Sequence, residues 1–334
     1  MNGKSADTLY FISKLTFLRI FNAILIYKSY WFSYLFKKPF YFGRPLSASI
    51  EATTQCNLQC PECPSGQKKF SRPTGSIELH DFLNYVNQLH KELVYLMIYF
   101  QGEPYMNKSF FEMVKYACSK KIYTSTSTNG HFLDNENARQ TVLSGLDRII
   151  ISFDGSDQQS YAEYRIGGNF EKVKEGIKNL VQIKKKLNSR RPYIILQSLM
   201  LHSNEEKIIE LKNIAKDLQV NELQFKTAQF YNYRHGNPLM PDNLAYSRYI
   251  KNPDGEYSLK KKTRNRCLRM WQSLVITWDG KVIPCCFDKD AGHPLGDLKK
   301  DLLKNVLKSP VYRAFRESIL KNRKDIEICN NCTE

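Results

Sequence analysis

The sequence predicts an α/β protein built on a parallel sheet, preceded by an amphipathic helical segment and followed by a small cysteine-bearing unit. Short apolar runs alternate with helical patterns between residues 44 and 227. This alternation is typical of parallel strands joined by right-handed crossovers. Residues 1–43 are instead dense in aromatic and aliphatic side chains, and residues 263–334 hold a separate group of cysteines.

Composition narrows the class of protein. The chain has 334 residues, enough for about two domains. Hydrophobic residues make up 42% and charged residues 25%, which excludes an intrinsically disordered chain. A mean hydropathy of −0.48 excludes a multi-span membrane protein. The net charge of +17 favours anionic partners: nucleic acid, acidic lipid or a phosphorylated substrate.

The cysteines indicate the compartment. There are nine of them, an odd number, and they are clustered. The first apolar stretch carries Lys14 and Arg19 and has no small-residue cleavage site, so it does not have the pattern of a secretory signal peptide. We therefore expect a cytoplasmic protein whose clustered thiols bind metal or act in catalysis.

The first element, within residues 1–43, is predicted to be one or two amphipathic helices. Charged residues interrupt the apolar run over residues 8–36, so no uncharged run approaches the ~18 residues of a spanning helix. Two interpretations remain open: a helix lying in a membrane interface on the cytoplasmic side, or a helix packed over the next domain. In the first, the basic residues expected near anionic lipid are Lys14, Arg19, Lys28, Lys37 and Lys38.

Six candidate strands follow in residues 44–227, and their short β-branched and aromatic runs are typical of strands buried on both faces. They cover residues 47–52, 94–100, 122–127, 148–153, 193–200 and 222–225. Helical patterns lie between them; in one, apolar residues recur at helical spacing behind a predicted Asn169 cap. Residues 228–262 are rich in Tyr, Asn, Pro and Lys and are predicted to be a linker.

A cysteine triplet directly follows the first strand. Cys56, Cys60 and Cys63 have the spacing C-x3-C-x2-C within one loop. Three thiolates on one loop can hold three irons of a four-iron, four-sulfur cluster and leave the fourth iron open to a chelating ligand. A structural zinc site would need a fourth protein ligand nearby, and none follows within a short loop.

This loop resembles that of the radical S-adenosylmethionine (SAM) superfamily, although Glu62 stands where the family often has an aromatic residue. The resemblance implies a partial (β/α)6 barrel over roughly residues 44–226 and an open [4Fe-4S] cluster chelated by SAM. It further implies that one electron from the cluster cleaves SAM to methionine and a 5′-deoxyadenosyl radical. That radical would take a hydrogen atom from the substrate.

Three turns at later strand ends add to the resemblance, because ligands bind at the carboxyl ends of parallel strands. Q-G-E-P at 101–104 resembles the family's Gly-Gly-Glu-Pro turn, and S-T-N-G at 127–130 its Thr-Asn-Gly turn. S-F-D-G at 152–155 resembles a Ser-Leu-Asp-Gly turn, whose Ser holds the SAM carboxylate together with a later Arg. The resemblance assigns SAM binding to Gly102, Glu103, Thr128, Asn129, Ser152, Asp154 and Arg165.

A second cysteine set lies in residues 263–334. The Gly-x4-Cys step from residue 280 and L-G-D-L at 295–298 resemble the SPASM and twitch extensions of the same superfamily. The set implies the shorter twitch form, with one auxiliary [4Fe-4S] cluster whose four irons are all ligated. A four-cysteine zinc site is the alternative, and the Gly-x4-Cys spacing selects Cys285 over Cys286. The expected ligands are Cys267, Cys285, Cys329 and Cys332.

These features predict a radical enzyme, with no general base assigned. By analogy with twitch-type aminocyclitol dehydrogenases, we expect oxidation of an alcohol on a sugar, a cyclitol or a carrier-linked metabolite, with the auxiliary cluster accepting an electron. The alternative is a maturase for a peptide or protein side chain, although we see no extra domain that would grip a leader peptide. RNA modification is a third hypothesis, although the sequence has no nucleic-acid-binding signature. A flavodoxin or ferredoxin is the expected electron donor.

Overall fold

The computed structural model describes residues 3–261 and 264–333. Contacts divide these residues into two compact units, each assembled from separate stretches of the chain. The triplet unit, which contains the first cysteine triplet, comprises residues 3–7, 56–69 and 126–261. The auxiliary unit, which contains the C-terminal cysteines, comprises residues 8–55, 70–125 and 264–333. The predicted boundaries at 44, 228 and 263 follow the order of the chain and stay a prediction.

Helices and strands alternate through the middle of the chain. The helices are α1 (Gly3–Ile12), α2 (Phe17–Phe36), α3 (Pro64–Gln67), α4 (Leu79–Leu89), α5 (Phe110–Ser119), α6 (Asn135–Leu143), α7 (Gln158–Tyr164), α8 (Phe170–Lys186), α9 (Ile208–Asp217), α10 (Arg269–Gln272), α11 (Leu303–Val306) and α12 (Pro310–Asn322). The strands are β1 (Ser47–Ile50), β2 (Tyr95–Met97), β3 (Tyr123–Thr128), β4 (Arg148–Ser152), β5 (Tyr193–Met200), β6 (Glu222–Thr227), β7 (Tyr249–Lys251), β8 (Tyr257–Leu259), β9 (Ser273–Ile276), β10 (Lys281–Ile283) and β11 (Gly296–Asp297).

Parallel pairing dominates both units. In the auxiliary unit, β1 pairs in parallel with β2 and with β9, and β2 pairs in parallel with β3. Strands β9, β10 and β11 then continue as an antiparallel ribbon. In the triplet unit, β4, β5 and β6 pair in parallel. The predicted α/β class with a parallel sheet is therefore confirmed.

Each of the six predicted strands is present in the predicted part of the chain, from β1 to β6. The expectation that the strands are buried on both faces is wrong for β4, where Ile149 and Ile151 are fully buried and alternate with half-exposed residues. The predicted cap of α8 is also observed, because the Asn169 side chain accepts a hydrogen bond from the backbone N–H of Lys172 at 2.8 Å.

Residues 228–261 differ from a linker. Strands β7 and β8 pair there as an antiparallel hairpin. Phe230 and Tyr249 are buried against Leu58 and Cys60 of the cysteine loop, in one hydrophobic cluster. The composition predicts a linker because polar residues stand between the tyrosines. Composition alone does not show how much aromatic surface the segment buries. The segment covers the cysteine loop within the triplet unit.

The N-terminal helices α1 and α2 meet at a bend of 92°. No single helix among residues 3–261 and 264–333 is long and apolar enough to cross a membrane. The bent pair passes that test only when its two helices are taken together, by length and composition. Thr16 caps α2, since its hydroxyl accepts from the backbone N–H of Arg19 at 3.3 Å.

Arg19 corrects one expectation about this segment. It is 3% exposed and points into the auxiliary unit rather than toward solvent or lipid. Its guanidinium donates to the carbonyl of His90 at 2.8 Å, at the end of α4, and to that of Lys120 at 3.2 Å, at the end of α5. Carbonyls at helix C-termini carry partial negative charge, which favours a cation there. Arg19 therefore anchors α2.

Arg19→Leu should lower the free energy of unfolding by about 1.5–3 kcal/mol for each charge-assisted hydrogen bond that is not replaced by water. Lys28→Leu, on the exposed side of the same helix, is the matched control and should change stability by less than about 0.5 kcal/mol. Anaerobic urea denaturation followed by tryptophan fluorescence measures both. Equal stability of the two variants would contradict the anchoring role of Arg19.

Candidate functional site

The cysteine triplet lies in the loop after β1, within the triplet unit. Cys60 is buried, while Cys56 and Cys63 are half-buried. Two polar side chains reach their sulfurs: Arg165 Nη1 lies 3.6 Å from Cys60 Sγ, and Asn129 Nδ2 lies 3.8 Å from Cys56 Sγ. Burial raises the pKa of the Cys60 thiol, and the Arg165 charge opposes that shift. A metal that binds here must therefore displace protons, with a cation already in place to balance the thiolate.

Arg165 is held by a buried carboxylate. Its Nε donates to Asp154 Oδ2 at 2.5 Å. The other oxygen, Asp154 Oδ1, accepts from the backbone N–H of Leu199 at 2.7 Å, at the end of β5. Burial lowers the pKa of Arg165, but Asp154 outweighs it and raises that pKa well above its usual value. Asp154 thus positions a permanent cation beside the cysteines.

Hydrogen bonds hold the predicted turn at Thr128 and Asn129 in place. Thr128 Oγ1 accepts from the N–H of Gly130 at 3.0 Å, and Asn129 Nδ2 donates to Asn57 Oδ1 at 2.8 Å. The sequence analysis missed His131, which is buried and accepts at Nε2 from the backbone N–H of Asn169 at 2.8 Å.

The hydrogen bonding of His131 determines its tautomer. Because Nε2 accepts, the proton lies on Nδ1, which is 3.1 Å from Asn129 Oδ1. Burial lowers the pKa of His131, which keeps the ring neutral. His131 is a positioning residue: it ties the start of α8 to the amide that reaches Cys56.

Glu62, the departure from the family pattern, has a structural partner. Its carboxylate accepts from the backbone N–H of Tyr231 at 2.9 Å and from Asn237 Nδ2 at 3.0 Å. An aromatic residue at this position has no acceptor for these donors. Glu62 therefore fastens the cysteine loop to the covering segment 228–261.

A row of polar residues crosses the sheet of the triplet unit. Ser152 on β4 pairs in register with Gln197 on β5, and Gln197 with Gln224 on β6. Residues in register on neighbouring strands project from the same face of a sheet. All three are half-buried. Gln197 Nε2 is buried and has no hydrogen-bond partner among the residues that the structure describes. The sequence analysis missed both glutamines.

The turn at Gly102 and Glu103 lies in the auxiliary unit. Gly102 has φ +73°, and a Cβ there would lie 2.3 Å from the carbonyl oxygen of Thr53. The backbone N–H of Glu103 donates to the Gln55 carbonyl at 2.7 Å. Only glycine permits this approach, because both the backbone angle and the space exclude a side chain. The turn is thereby fastened to the segment that leads into the cysteine loop.

Asn107 also holds this turn in place, and the sequence analysis missed it. Its Nδ2 donates to the carbonyls of Ala52 at 2.8 Å and Ile77 at 3.0 Å. Glu103 itself is 2% exposed, so its carboxylate is removed from bulk water. Its Oε1 accepts from the backbone N–H of Tyr105 at 3.4 Å. The ammonium of SAM is the further donor that the resemblance assigns to it.

The C-terminal cysteines meet around one cavity in the auxiliary unit. The cavity has a volume of about 370 Å³ and is lined by apolar side chains, by two arginines and by the four expected ligands. These ligands are Cys267, Cys285, Cys329 and Cys332. Cys286 is exposed and does not line the cavity. Cys285 therefore lies with the other three expected ligands, and its selection over Cys286 stays a prediction.

An arginine accompanies this set too. Arg323 is buried, and its Nη2 donates to Cys332 Sγ at 2.9 Å while its Nη1 donates to the carbonyl of Arg266 at 2.8 Å. Burial raises the pKa of Cys285 and of Cys267. The sequence offers no signal for Arg323, since it lies outside the cysteine motifs.

Two family models match this chain. The model of the radical SAM superfamily matches residues 50–215, and the SPASM model, an iron–sulfur cluster-binding domain, matches residues 267–333. The first match contains the cysteine triplet and the three turns, and the second contains the four expected ligands of the C-terminal set and Cys286.

The chain belongs to the radical SAM superfamily.

Relatives of this radical SAM enzyme have names that refer to different reactions. A PqqA peptide cyclase of Bradyrhizobium diazoefficiens is 25% identical over 73% of this chain and 67% of its own length. A tungsten-containing aldehyde ferredoxin oxidoreductase cofactor-modifying protein of Pyrococcus furiosus is 24% identical over 71% of this chain and 69% of its own length.

Solved structures share the fold at low sequence identity. Streptococcus suis SuiB bound to S-adenosylmethionine has a TM-score of 0.64 and 15% identity, over 87% of this chain and 72% of SuiB. Native anSMEcpe with bound AdoMet has a TM-score of 0.60 and 18% identity, over 86% and 89%. BtrN in complex with AdoMet and 2-DOIA has a TM-score of 0.54 and 16% identity, over 87% and 93%.

Membership in the superfamily implies a [4Fe-4S] cluster and SAM, and the SPASM domain implies auxiliary iron–sulfur binding. The residues present fit both groups, because three thiols share one loop and four thiols share one cavity. When bound, the cluster and SAM supply the oxidant that removes a hydrogen atom from a substrate carbon. The individual ligand and SAM-binding assignments stay predictions.

Anaerobic reconstitution should load about eight irons per chain, as two four-iron clusters. The Cys56→Ala/Cys60→Ala/Cys63→Ala variant should load about four, and the control Cys118→Ala, whose thiol belongs to neither set, about eight. Iron and sulfide analysis measures the load. A protein that takes up zinc and shows no iron–sulfur absorption would contradict both sites.

Glu103→Ala should weaken SAM binding about ten- to a hundredfold while leaving the iron content unchanged, because one charge-assisted hydrogen bond is lost. Glu112→Ala, on the exposed face of α5, is the control and should bind SAM normally. Anaerobic calorimetry measures the affinity. If Glu103→Ala binds SAM like the wild type, the carboxylate serves only the turn.

Proposed function

We propose that this radical SAM enzyme oxidises an alcohol on a sugar, a cyclitol or a carrier-linked metabolite, with the auxiliary cluster as electron acceptor. The set of four thiols around one cavity carries this proposal. Four thiolates would ligate every iron of a four-iron cluster and leave no iron for a substrate to bind, which suits electron transfer. Arg323 beside Cys332 would favour acceptance of an electron, since positive charge near a cluster raises its reduction potential.

The electrons and protons of the proposed reaction balance. The alcohol carbon loses one hydrogen atom, the hydroxyl loses a proton, and the remaining electron leaves to the auxiliary cluster as the C=O bond forms. The chain's own residues bind and orient the reactants. Arg165, held by Asp154, would pair with the carboxylate of SAM, since a guanidinium binds a carboxylate with two parallel hydrogen bonds.

The polar row on the sheet supports a hydroxylated substrate. Gln197 offers an amide donor and an amide acceptor beside Ser152, and Gln224 lies beside Gln197 with its Nε2 donating to Glu222. The buried Nε2 of Gln197 gains a partner if a substrate hydroxyl lies against it, which removes the cost of an unmade hydrogen bond. BtrN, whose structure holds AdoMet with 2-DOIA, supports a small-molecule substrate for this fold.

Modification of a peptide or protein side chain is the second candidate. The relatives named as PqqA peptide cyclases favour it. So do structures of SuiB with precursor peptide SuiA and of anSMEcpe with the Cp18Cys peptide. The same closed auxiliary site would serve this reaction, so substrate class must be decided by experiment.

Two partners complete the proposal. An external one-electron donor, a flavodoxin or ferredoxin, supplies the electron that starts each cycle. The enzyme also associates peripherally with the cytoplasmic face of an anionic membrane, for which the exposed apolar surface of α1 and α2 is the support.

Reconstituted enzyme with SAM and reductant should form 5′-deoxyadenosine above background only with its own substrate class. We expect this with alcohols from a panel of sugars, cyclitols and their nucleotide- or lipid-linked forms, together with a ketone product that lacks two hydrogen atoms. Chromatography with mass spectrometry measures both products. Turnover confined to a peptide panel would replace the first candidate with the second.

If the substrate is an alcohol, the Cys329→Ala/Cys332→Ala variant should uncouple 5′-deoxyadenosine formation from ketone formation. It should still form 5′-deoxyadenosine with the alcohol but little ketone, because the substrate has lost its electron acceptor. Cys286→Ala is the matched control, since its thiol is exposed and lies outside the cavity. Ketone formation equal to that of the control would contradict the proposed role of the auxiliary cluster.

A further inference from the structure

Helix α2 is amphipathic with its polar side inward. Asn22 Nδ2 donates to the carbonyl of Arg44 at 2.9 Å. Ser29 Oγ and Ser33 Oγ accept from the backbone N–H groups of Phe42 and Phe40, both at 2.8 Å. These bonds, with those of the anchoring arginine described above, set the rotation of the helix about its axis. The apolar residues therefore face outward because the polar ones are bound to the protein.

The outward face is a continuous apolar stripe. Its residues recur at spacings of three and four along α2, and Phe17 and Leu35 at its two ends are 85% and 71% exposed. Monomeric soluble proteins rarely leave so large an apolar patch in water. The stripe consists of Phe17, Ile20, Phe21, Ile24, Tyr27, Trp31, Phe32, Leu35 and Phe36, and Leu9, Ile12 and Leu15 extend it toward α1.

The exposed charges of α2 and of the two residues after it are of one sign. Residues 8–50 contain six basic side chains and no acidic one, although Arg19 is buried and Arg44 pairs with Glu92. Lys28, Lys37 and Lys38 are exposed on or beside the stripe. Another protein surface would have to be both apolar and acidic to match it. A bilayer with anionic head groups provides that combination, with Trp and Tyr at the boundary as usual for interfacial helices.

A groove continues the stripe into the auxiliary unit. It has a volume of about 920 Å³, and Leu18, Phe21 and Leu25 of α2 form one wall. Lys304 and Lys308 also line it. The lining of the groove thus combines apolar side chains of α2, among them Phe21 of the stripe, with two lysines.

The remaining charges of the groove are paired with each other. Arg44 Nη1 lies 4.0 Å from a carboxylate oxygen of Glu92 and donates to the Gln88 carbonyl at 3.0 Å. Glu92 is the acidic residue of the lining, and its charge is offset by Arg44. Among the described residues that line the groove, Lys304 and Lys308 are therefore the cations whose charge is not offset by Glu92.

We propose that this groove binds the phosphate of an anionic lipid at Lys304 and Lys308, with an acyl chain against Leu18, Phe21 and Leu25. The α2 stripe then lies in the boundary between head groups and acyl chains. This proposal rests on the peripheral membrane association proposed above, and it adds which lipid the protein binds and where. It gives Lys304 and Lys308, near the C-terminus, a role in lipid binding.

Co-sedimentation of the full-length protein with vesicles tests the site. Vesicles of phosphatidylcholine alone are compared with vesicles that also contain phosphatidylglycerol, at low and high salt. We expect strong binding to the anionic vesicles that weakens with salt. Lys304→Ala/Lys308→Ala should weaken it by about fivefold per lysine. Lys212→Ala/Lys216→Ala, an exposed pair with the same spacing on α9, is the matched control and should bind normally.

A second set of variants separates the site from membrane association itself. The apolar set changes Phe17, Ile24, Trp31 and Leu35 to Ser, and its control changes the exposed residues Leu143, Leu187, Ile209 and Leu244 to Ser. The first set should weaken binding to all vesicles by about a hundredfold or more, because each side chain loses its burial in lipid. The second should have no effect.

The outcomes are distinguishable. If no vesicle binds the wild type, both membrane association and the lipid site are overturned. If binding requires the apolar set but is insensitive to Lys304, Lys308 and phosphatidylglycerol, the lipid site alone is overturned. A salt-insensitive dimer that the apolar set abolishes, without vesicle binding, assigns the stripe to a second copy of the chain. Inorganic phosphate should not compete with short-chain phosphatidylglycerol; equal competition would assign the groove to free phosphate.

Discussion

The ion pair between Arg165 and Asp154 is the interaction on which the triplet unit depends. Asp154 is buried and Arg165 is half-buried, and the pair joins three separate parts of the chain: the end of β4, the end of β5 and the cysteine loop. Removing Arg165 would leave the buried carboxylate of Asp154 uncompensated, at a cost of about 3–5 kcal/mol. The pair is thus a structural joint that also places positive charge beside Cys60.

The same solution recurs at the second cysteine set, where Arg323 donates to Cys332. Arg323 is buried and Arg165 half-buried, and each makes a second contact that prevents it from turning away: Asp154 for Arg165, the Arg266 carbonyl for Arg323. Hydrogen bonds and charge near sulfur tune the potential of an iron–sulfur cluster. The chain therefore places a fixed cation at each set of cysteines, which supports the proposed electron transfer.

The N-terminal helices satisfy their polar groups toward the protein and leave their apolar groups outside. The polar face of α2 packs on the auxiliary unit, and its other face carries the exposed apolar surface on which the proposed membrane association rests. Arg19, Asn22, Ser29 and Ser33 replace the leucines that an ordinary core-covering helix would bury. Hydrogen bonds to backbone carbonyls, together with the buried side chains of Ile26 and Tyr30, hold it in place. Its exposed apolar side supports the proposed lipid site.

The sequence by itself determined the order of the strands, the α/β class and the grouping of the cysteines, since these depend on local periodicity and spacing. It assigned Arg19 to the wrong side of its helix and took residues 228–262 for a linker. Only the tertiary structure decided that Arg323 meets the C-terminal cysteines, that Glu62 holds the covering segment and that Gln197 lies beside Ser152. Those contacts depend on helix rotation and strand register, which are set by residues distant in the chain and leave no periodic signal in the sequence.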